Sequence, residues 1–205
     1  MSKDVLQKRG KFIGKINSVM QEFHFTDPAI LTKLVNIYAT SFYSSGAWYI
    51  YLAEYEKLYS SWNVAIRMIF NLDRCTHRYL IEPLSQCLHP KAMIASRYVT
   101  FYQSLVNCNK LGVRFLARLN ESDYRTVLGR TLIQMLDDCS LTRLGLDQLT
   151  AQHVKKKLVY FPVPEGEKRR IPLLQELLKL RQGHLKMDNF NSTEISNMID
   201  HLCTS

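Results

Sequence analysis

The chain has 205 residues, 46% hydrophobic and 22% charged, with only eight Gly and six Pro. That makeup fits one sizeable globular domain or two small ones and excludes a disordered or linker-rich polypeptide. The net charge of +9 is spread through both halves and favours a polyanionic partner, because Lys and Arg contacts to phosphates release condensed counterions; charge that serves solubility alone is the plainer alternative. The opening MSKDVLQKRGKF puts charges where an export signal needs an apolar core. No run approaches the ~18 apolar residues of a membrane span. Five scattered cysteines form no disulfide framework. An intracellular setting, nucleus or cytoplasm, with reduced thiols is expected.

Helical periodicity runs through the chain. Val5, Phe12, Ile16, Val19 and Phe23 recur at mostly three- and four-residue steps and predict an amphipathic helix over 3–23. Asp27 caps the next, with Pro28 in its first turn and Gly46 near its stop. A long helix is expected from Trp48 to Leu72, burying Trp62, Ile66, Ile69 and Phe70. A short one is expected from a Thr76 cap to Leu84, and His89-Pro90 opens another that reaches Val106. Asn109 precedes KLGVRFLARLN, and Asn120 with Asp123 has the spacing of a capping pair before a helix to Asp138. DQLTAQHVKKKLVY is a shorter amphipathic piece. The prolines of FPVPEGEKRR make 161–166 the candidate linker, followed by a helix from Glu167 to Arg181 that Gly183 ends. Asn191 and Glu194 cap the last helix. The expectation is an all-α, irregular bundle of about ten helices: a helical domain over 1–160 and a small helical extension over 161–205.

Candidate chemistry is sparse. QMLDDCS sets Asp137 and Asp138 side by side, as paired aspartates stand in polymerase palms, where carboxylates on a tight hairpin hold two metal ions. Leu128, Leu132, Met135 and Leu136 at helical steps put this pair on a solvated helix end instead. Cys75, His77, Cys87 and His89 form two Cys-x-His pairs. One intervening residue is an awkward zinc chelate inside a helix, so no metal and no cofactor is expected. There is no glycine-rich phosphate loop and no Gly-x-Ser-x-Gly elbow, and no catalytic residue is assigned.

The basic segments carry more. Asn63 and Arg67 stand one turn apart, with Trp62, Ile66 and Ile69 pointing inward; Arg74, His77 and Arg78 follow the break at Asn71–Asp73. Lys155, Lys156 and Lys157 make a second cluster, and Lys168, Arg169 and Arg170 a third. Each alone reads more readily as a solvated face; together with the global charge they are candidate contacts to an RNA or DNA backbone, and the Asn63–Arg78 set serves equally well to brace the turn between two helices. The rings of IYATSFYSSGAWYIYLAEYEKLY can serve as stacking platforms or as core, and their helical spacing favours core.

In collinear order, FIGKIN…EFHF, NIYATSFYSSGAW, LYSSWNVAIRMIFNLDRCTHRYLIEPLS, ASRYVTFYQSLVNCNKLGVRFLARL and LCTS resemble the carboxy-terminal region of non-LTR (LINE-type) retrotransposon reverse transcriptases, downstream of the catalytic palm. The Trp-Asn…Arg…Thr-His-Arg block is the most specific part. Ser45, Ala47 and Asp73 stand where the family pattern has Gly, Leu and Pro. The resemblance implies a thumb and post-thumb helical segment that steadies a template–primer duplex through its backbone. The palm with its catalytic aspartates is then a missing partner, and the chain is a truncated copy or a final-exon product without polymerase activity. Two other readings stand beside it: a helical protein-interaction module, and a retroelement remnant with no selected activity.

Overall fold

Pro28 opens a helix because its fixed φ suits the first turn, where no amide donor is needed, and because Asp27 Oδ1 accepts from the amides of Ala29 at 2.6 Å and Ile30 at 3.3 Å. Side-chain capping of this kind occurs at five of the ten helix starts among the described residues. The structure, a computed structural model, describes residues 2–24, 26–40, 42, 45, 49–123, 125–141, 149–158, 162–181 and 191–204. Among them are ten α-helices and no strand: α1 Ser2–Glu22, α2 Pro28–Tyr38, α3 Glu54–Ile69, α4 Arg78–Ser85, α5 Pro90–Val106, α6 Leu111–Ser122, α7 Val127–Asp138, α8 Ala151–Lys157, α9 Arg170–Arg181 and α10 Ser192–Thr204. The all-α expectation is met. None of these helices is long and apolar enough to cross a membrane.

The caps at Asp27, His89-Pro90 and Asn191–Glu194 form as expected: His89 Nδ1 accepts from the Lys91 amide, and Glu194 reaches back to the Asn191 amide at 3.2 Å. Other boundaries move. Residues 49–53 are not helical, and α3 starts at Glu54. Tyr49 and Tyr51, two residues apart, both reach α7, through Gln134 and Asp138. The residue before α4 is His77, whose side chain makes no capping hydrogen bond, rather than Thr76, which is buried. Lys110 rather than Asn109 precedes α6. Asn120 lies inside α6, its amide donating to the Leu116 carbonyl, so it caps nothing; Thr126 caps α7 through the Gly129 amide. A 3-10 turn at Glu165–Glu167 delays α9 to Arg170. The expected stops at Gly46 and Gly183 lie outside the described residues.

The chain forms two compact units, each built from separate segments. The first comprises Met1–Lys8, Phe42–Tyr59 and Leu88–Tyr160. Its axis is α5, buried along Ala92, Ile94, Ala95, Tyr98 and Val99, against which α6 and α8 pack. Two of its ring hydroxyls find partners: that of Tyr98 donates to the Leu128 carbonyl at 2.6 Å, and that of Tyr102 donates to Glu121. The second comprises Arg9–Ser41, Ser60–Cys87 and Phe161–Ser205. Its core gathers Phe12, Ile16, Val35, Trp62, Ile66, Leu80, Ile81, Leu174, Leu178, Ile199 and Cys203. Each large side chain fully buried there contributes about 1.5–3 kcal/mol.

Candidate nucleic-acid interface

The block from Asn63 to Arg78 is the end of α3, the connecting turn region over 70–77 and the first residue of α4. The end of α3 is a Schellman motif. The Leu72 amide donates to the Arg67 carbonyl at 2.8 Å, the Asn71 amide to the Met68 carbonyl at 3.2 Å, and Asn71 takes a left-handed φ of 49°. Asn tolerates that region better than other non-glycine residues. Arg181 of α9 donates to the Asn71 carbonyl at 2.9 Å, which fixes the turn from outside. Asp73 then folds the chain back, its Oδ1 accepting from the Cys75 amide at 2.6 Å. That amide bond, first, and the Cys75 thiol, second, hold the Asp73 carboxyl below the usual range.

Two of the candidate residues are turned inward. Asn63 is 4% exposed, so it presents nothing to a solvent-borne phosphate, and its Oδ1 has no hydrogen-bond partner among the described residues. Arg67 is half-buried and donates from Nη2 to the Thr76 carbonyl at 2.6 Å, spanning the turn. Burial, with the nearby Arg78 charge second, pushes its pKa down. The outer face of α3 carries Val64 and Met68 instead. With Arg9, Ile13 and Ile16 of α1 they line a cavity of about 240 Å³. Asn63 and Arg67, one turn apart, thus turn toward the packed side of α3 along with Trp62, Ile66 and Ile69. Trp62, Asn63, Ala65, Ile66, Ile69 and Phe70 are all buried, so the packed sector of α3 is wider than a simple amphipathic stripe.

Arg74 and Arg78 are exposed, and the His77 ring stacks on Tyr79 with centroids 5.1 Å apart and planes 11° apart. The His77 amide donates to the Cys203 carbonyl at 3.3 Å, so the last turn of α10 supports the stack from behind. The Tyr79 hydroxyl, whose pKa is raised by desolvation first, also feels the charges of Glu167 and Arg170. Arg170 of the third basic cluster therefore lies near this ring, in the second unit. Within that cluster Lys168 pairs with Glu165, and Arg170 pairs with Glu167 at 2.9 Å. Arg169 is exposed and carries no ion pair among the described residues. Lys155, Lys156 and Lys157 form the last turn of α8 in the first unit, all exposed, where cations also complement the helix dipole.

Asp137 and Asp138 do end α7. Asp138 accepts from the Tyr51 hydroxyl at 2.8 Å and lies 3.8 Å from Lys91 Nζ. Burial first and this bond second push the Tyr51 pKa up. Of the four residues weighed for zinc, Cys75 and His77 precede α4 and Cys87 follows it, where its sulfur accepts from Asn36 Nδ2 at 2.7 Å; His89 is buried in the first unit as the cap of α5. No group of three or more His, Cys, Asp or Glu suited to a metal occurs among the described residues. The His77–Tyr79 stack and the role of the Glu165–Arg170 turn were not foreseen; only the aromatic neighbour of His77 hinted at them. The chain matches no protein-family profile, no curated protein and no solved structure.

Proposed function

We propose that the turn between α3 and α4, with the Glu165–Arg170 segment beside it, receives the sugar–phosphate backbone of a nucleic-acid strand. In this reading the chain is a noncatalytic relative of the carboxy-terminal region of a LINE-type reverse transcriptase. The observation that carries it is the half-exposed His77–Tyr79 stack, with the exposed cations Arg74 and Arg78 next to it in the chain and Arg170, neighbour of the exposed Arg169, within electrostatic reach of the Tyr79 hydroxyl. A ring platform edged by guanidinium groups suits strands whose bases stack and whose phosphates are tracked without sequence readout. Arg78 also occupies the first turn of α4, where the helix dipole disfavours a cation.

The test is anisotropy of a labelled single-stranded 20-mer, RNA or DNA, titrated with the full chain over a range of KCl concentrations. Log K is expected to fall linearly with log salt, with a slope of about −0.7 per phosphate engaged. The triple variant Arg74→Glu, Arg78→Glu, Arg169→Glu should lose about tenfold or more and flatten the slope. Tyr79→Ala should weaken binding with the salt slope unchanged, since stacking contributes about 1–3 kcal/mol per base and releases no counterions. Affinity that is flat across salt, or indifferent to the triple variant, overturns the reading.

A further inference from the structure

The helix α6 is turned inside out. Its inward side carries the buried Ala117 and half-buried Val113, while Leu111, Phe115, Leu116 and Leu119 are 74%, 61%, 60% and 50% exposed. Leu111, Phe115 and Leu119 recur every fourth residue and form one continuous stripe, with Leu116 beside it. Burying such side chains is worth about 1.5–3 kcal/mol each, and the fold forgoes most of that while packing α6 through Val113 and Ala117. Scattered exposed leucines need no explanation, but four on one helix face make a contiguous patch of the kind that marks an interaction surface. Arg114 and Arg118, both exposed and four residues apart, run along a single edge of the stripe and make no ion pair among the described residues. The opposite edge has Gly112 and Leu116, without charge.

We propose that this face seats an amphipathic helix of a partner protein, one that lays leucine-type side chains between Leu111, Phe115 and Leu119 and aligns carboxylates against Arg114 and Arg118. Charge complementarity selects this occupant. A second copy is disfavoured, since each copy carries +9 and an antiparallel two-fold pairing of α6 sets the arginine edges against each other. A membrane surface draws cations to both edges of an interfacial helix, whereas here they line one. A single charged edge beside an apolar stripe is the pattern of helix-in-groove recognition with a fixed orientation. The surface shares no residue with the proposed nucleic-acid contacts, so the two ideas fail independently.

The probe is a fluorescein-labelled 18-residue peptide with Leu at alternating three- and four-residue steps and Glu along one flank. A second peptide is identical but carries Lys for Glu. With the full chain, the Glu peptide is expected to bind saturably and about tenfold or more tighter than the Lys peptide. Phe115→Glu and Leu119→Glu should each weaken it about tenfold while leaving the melting temperature unchanged, as both sites are exposed. Arg114→Glu with Arg118→Glu should invert the preference between the peptides. Equal binding of both peptides overturns the proposal, as does indifference to Phe115→Glu. So does concentration-dependent dimerisation, or capture by phosphatidylserine vesicles without peptide binding, if Phe115→Glu abolishes it.

Discussion

Arg67 Nη2 donates to the main-chain carbonyl of Thr76 at 2.6 Å, nine residues along the chain. The guanidinium thus closes the turn from α3 to α4, while the Thr76 side chain faces the core. Hydrogen bonds from charged donors are worth about 1.5–3 kcal/mol. Arg67→Ala is expected to cost about 2 kcal/mol in urea unfolding, and Arg67→Lys to recover less than half, because the planar fork is lost. Arg74→Glu and Arg78→Glu should stay within about 0.5 kcal/mol of the parent. An Arg67→Ala variant that unfolds with the parent would remove the bracing role.

The helix starts that could be read from the sequence were those written in a few adjacent residues. Asp27-Pro28, His89-Pro90 and Asn191…Glu194 each carry the acceptor and the first-turn residue together. What could not be read depends on distance. Bracing of the turn is one of the two roles that the position of Arg67 suggests, beside phosphate contact, but its acceptor nine residues on is not written locally. Thr76 looks like a cap until burial takes its side chain away. The end of α3 carried a readable sign, since Asn is the usual substitute for Gly at a left-handed position, but Asn71 sits among residues that read equally well as loop. The meeting of Tyr79 with Glu167 and Arg170 joins segments some 90 positions apart (79 and 167–170), and no local pattern encodes it. The face of α6 shows a further limit: periodicity marks an apolar stripe but not whether the fold or a partner covers it.

Gly129 sits in the first turn of α7, where a Cβ would lie 1.9 Å from the Asp123 carbonyl oxygen and 2.6 Å from that of Asn120. Both are backbone atoms at the end of α6 and cannot swing aside. Gly129→Ala should therefore destabilise by about 2 kcal/mol despite the better helix propensity of Ala. Gly10→Ala in α1, with nothing within 4 Å of the added carbon, should stabilise by about 0.5–1 kcal/mol. Opposite signs in parallel urea titrations are the expected result; a stabilising Gly129→Ala would refute the close approach.

Ser140 follows α7 at a left-handed φ of 57°, with its amide bonded to the Asp137 carbonyl and the Leu141 amide to that of Leu136. This is the same helix stop as at Asn71, but serine bears the Cβ penalty of about 1–2 kcal/mol in that region. Glycine removes the penalty and gives back part of the gain as unfolded-state entropy. Ser140→Gly should raise stability by about 0.5–1 kcal/mol, read as a higher melting temperature, whereas Ser140→Val should lower it.

His89 is fully buried, accepts the Lys91 amide at Nδ1 at 3.2 Å and meets the edge of Tyr59 with centroids 4.9 Å apart. Burial first, and the Lys91 charge second, push its pKa down from 6.5 to about 3. Between those two values the unfolded chain binds a proton at this site that the native chain refuses. Stability is therefore intact above about pH 6.5 and falls as the pH drops toward 3, by up to about 1.4 kcal/mol per unit. His89→Asn keeps a capping acceptor for α5 and abolishes this titration, at the expense of packing against Tyr59. The variant should be less stable than the parent at pH 8, with the gap narrowing steadily from pH 6.5 to pH 4 in urea unfolding. Carboxylates titrate in both proteins and cancel in the difference, so a gap that stays constant over that window would mean that His89 is protonated in the fold.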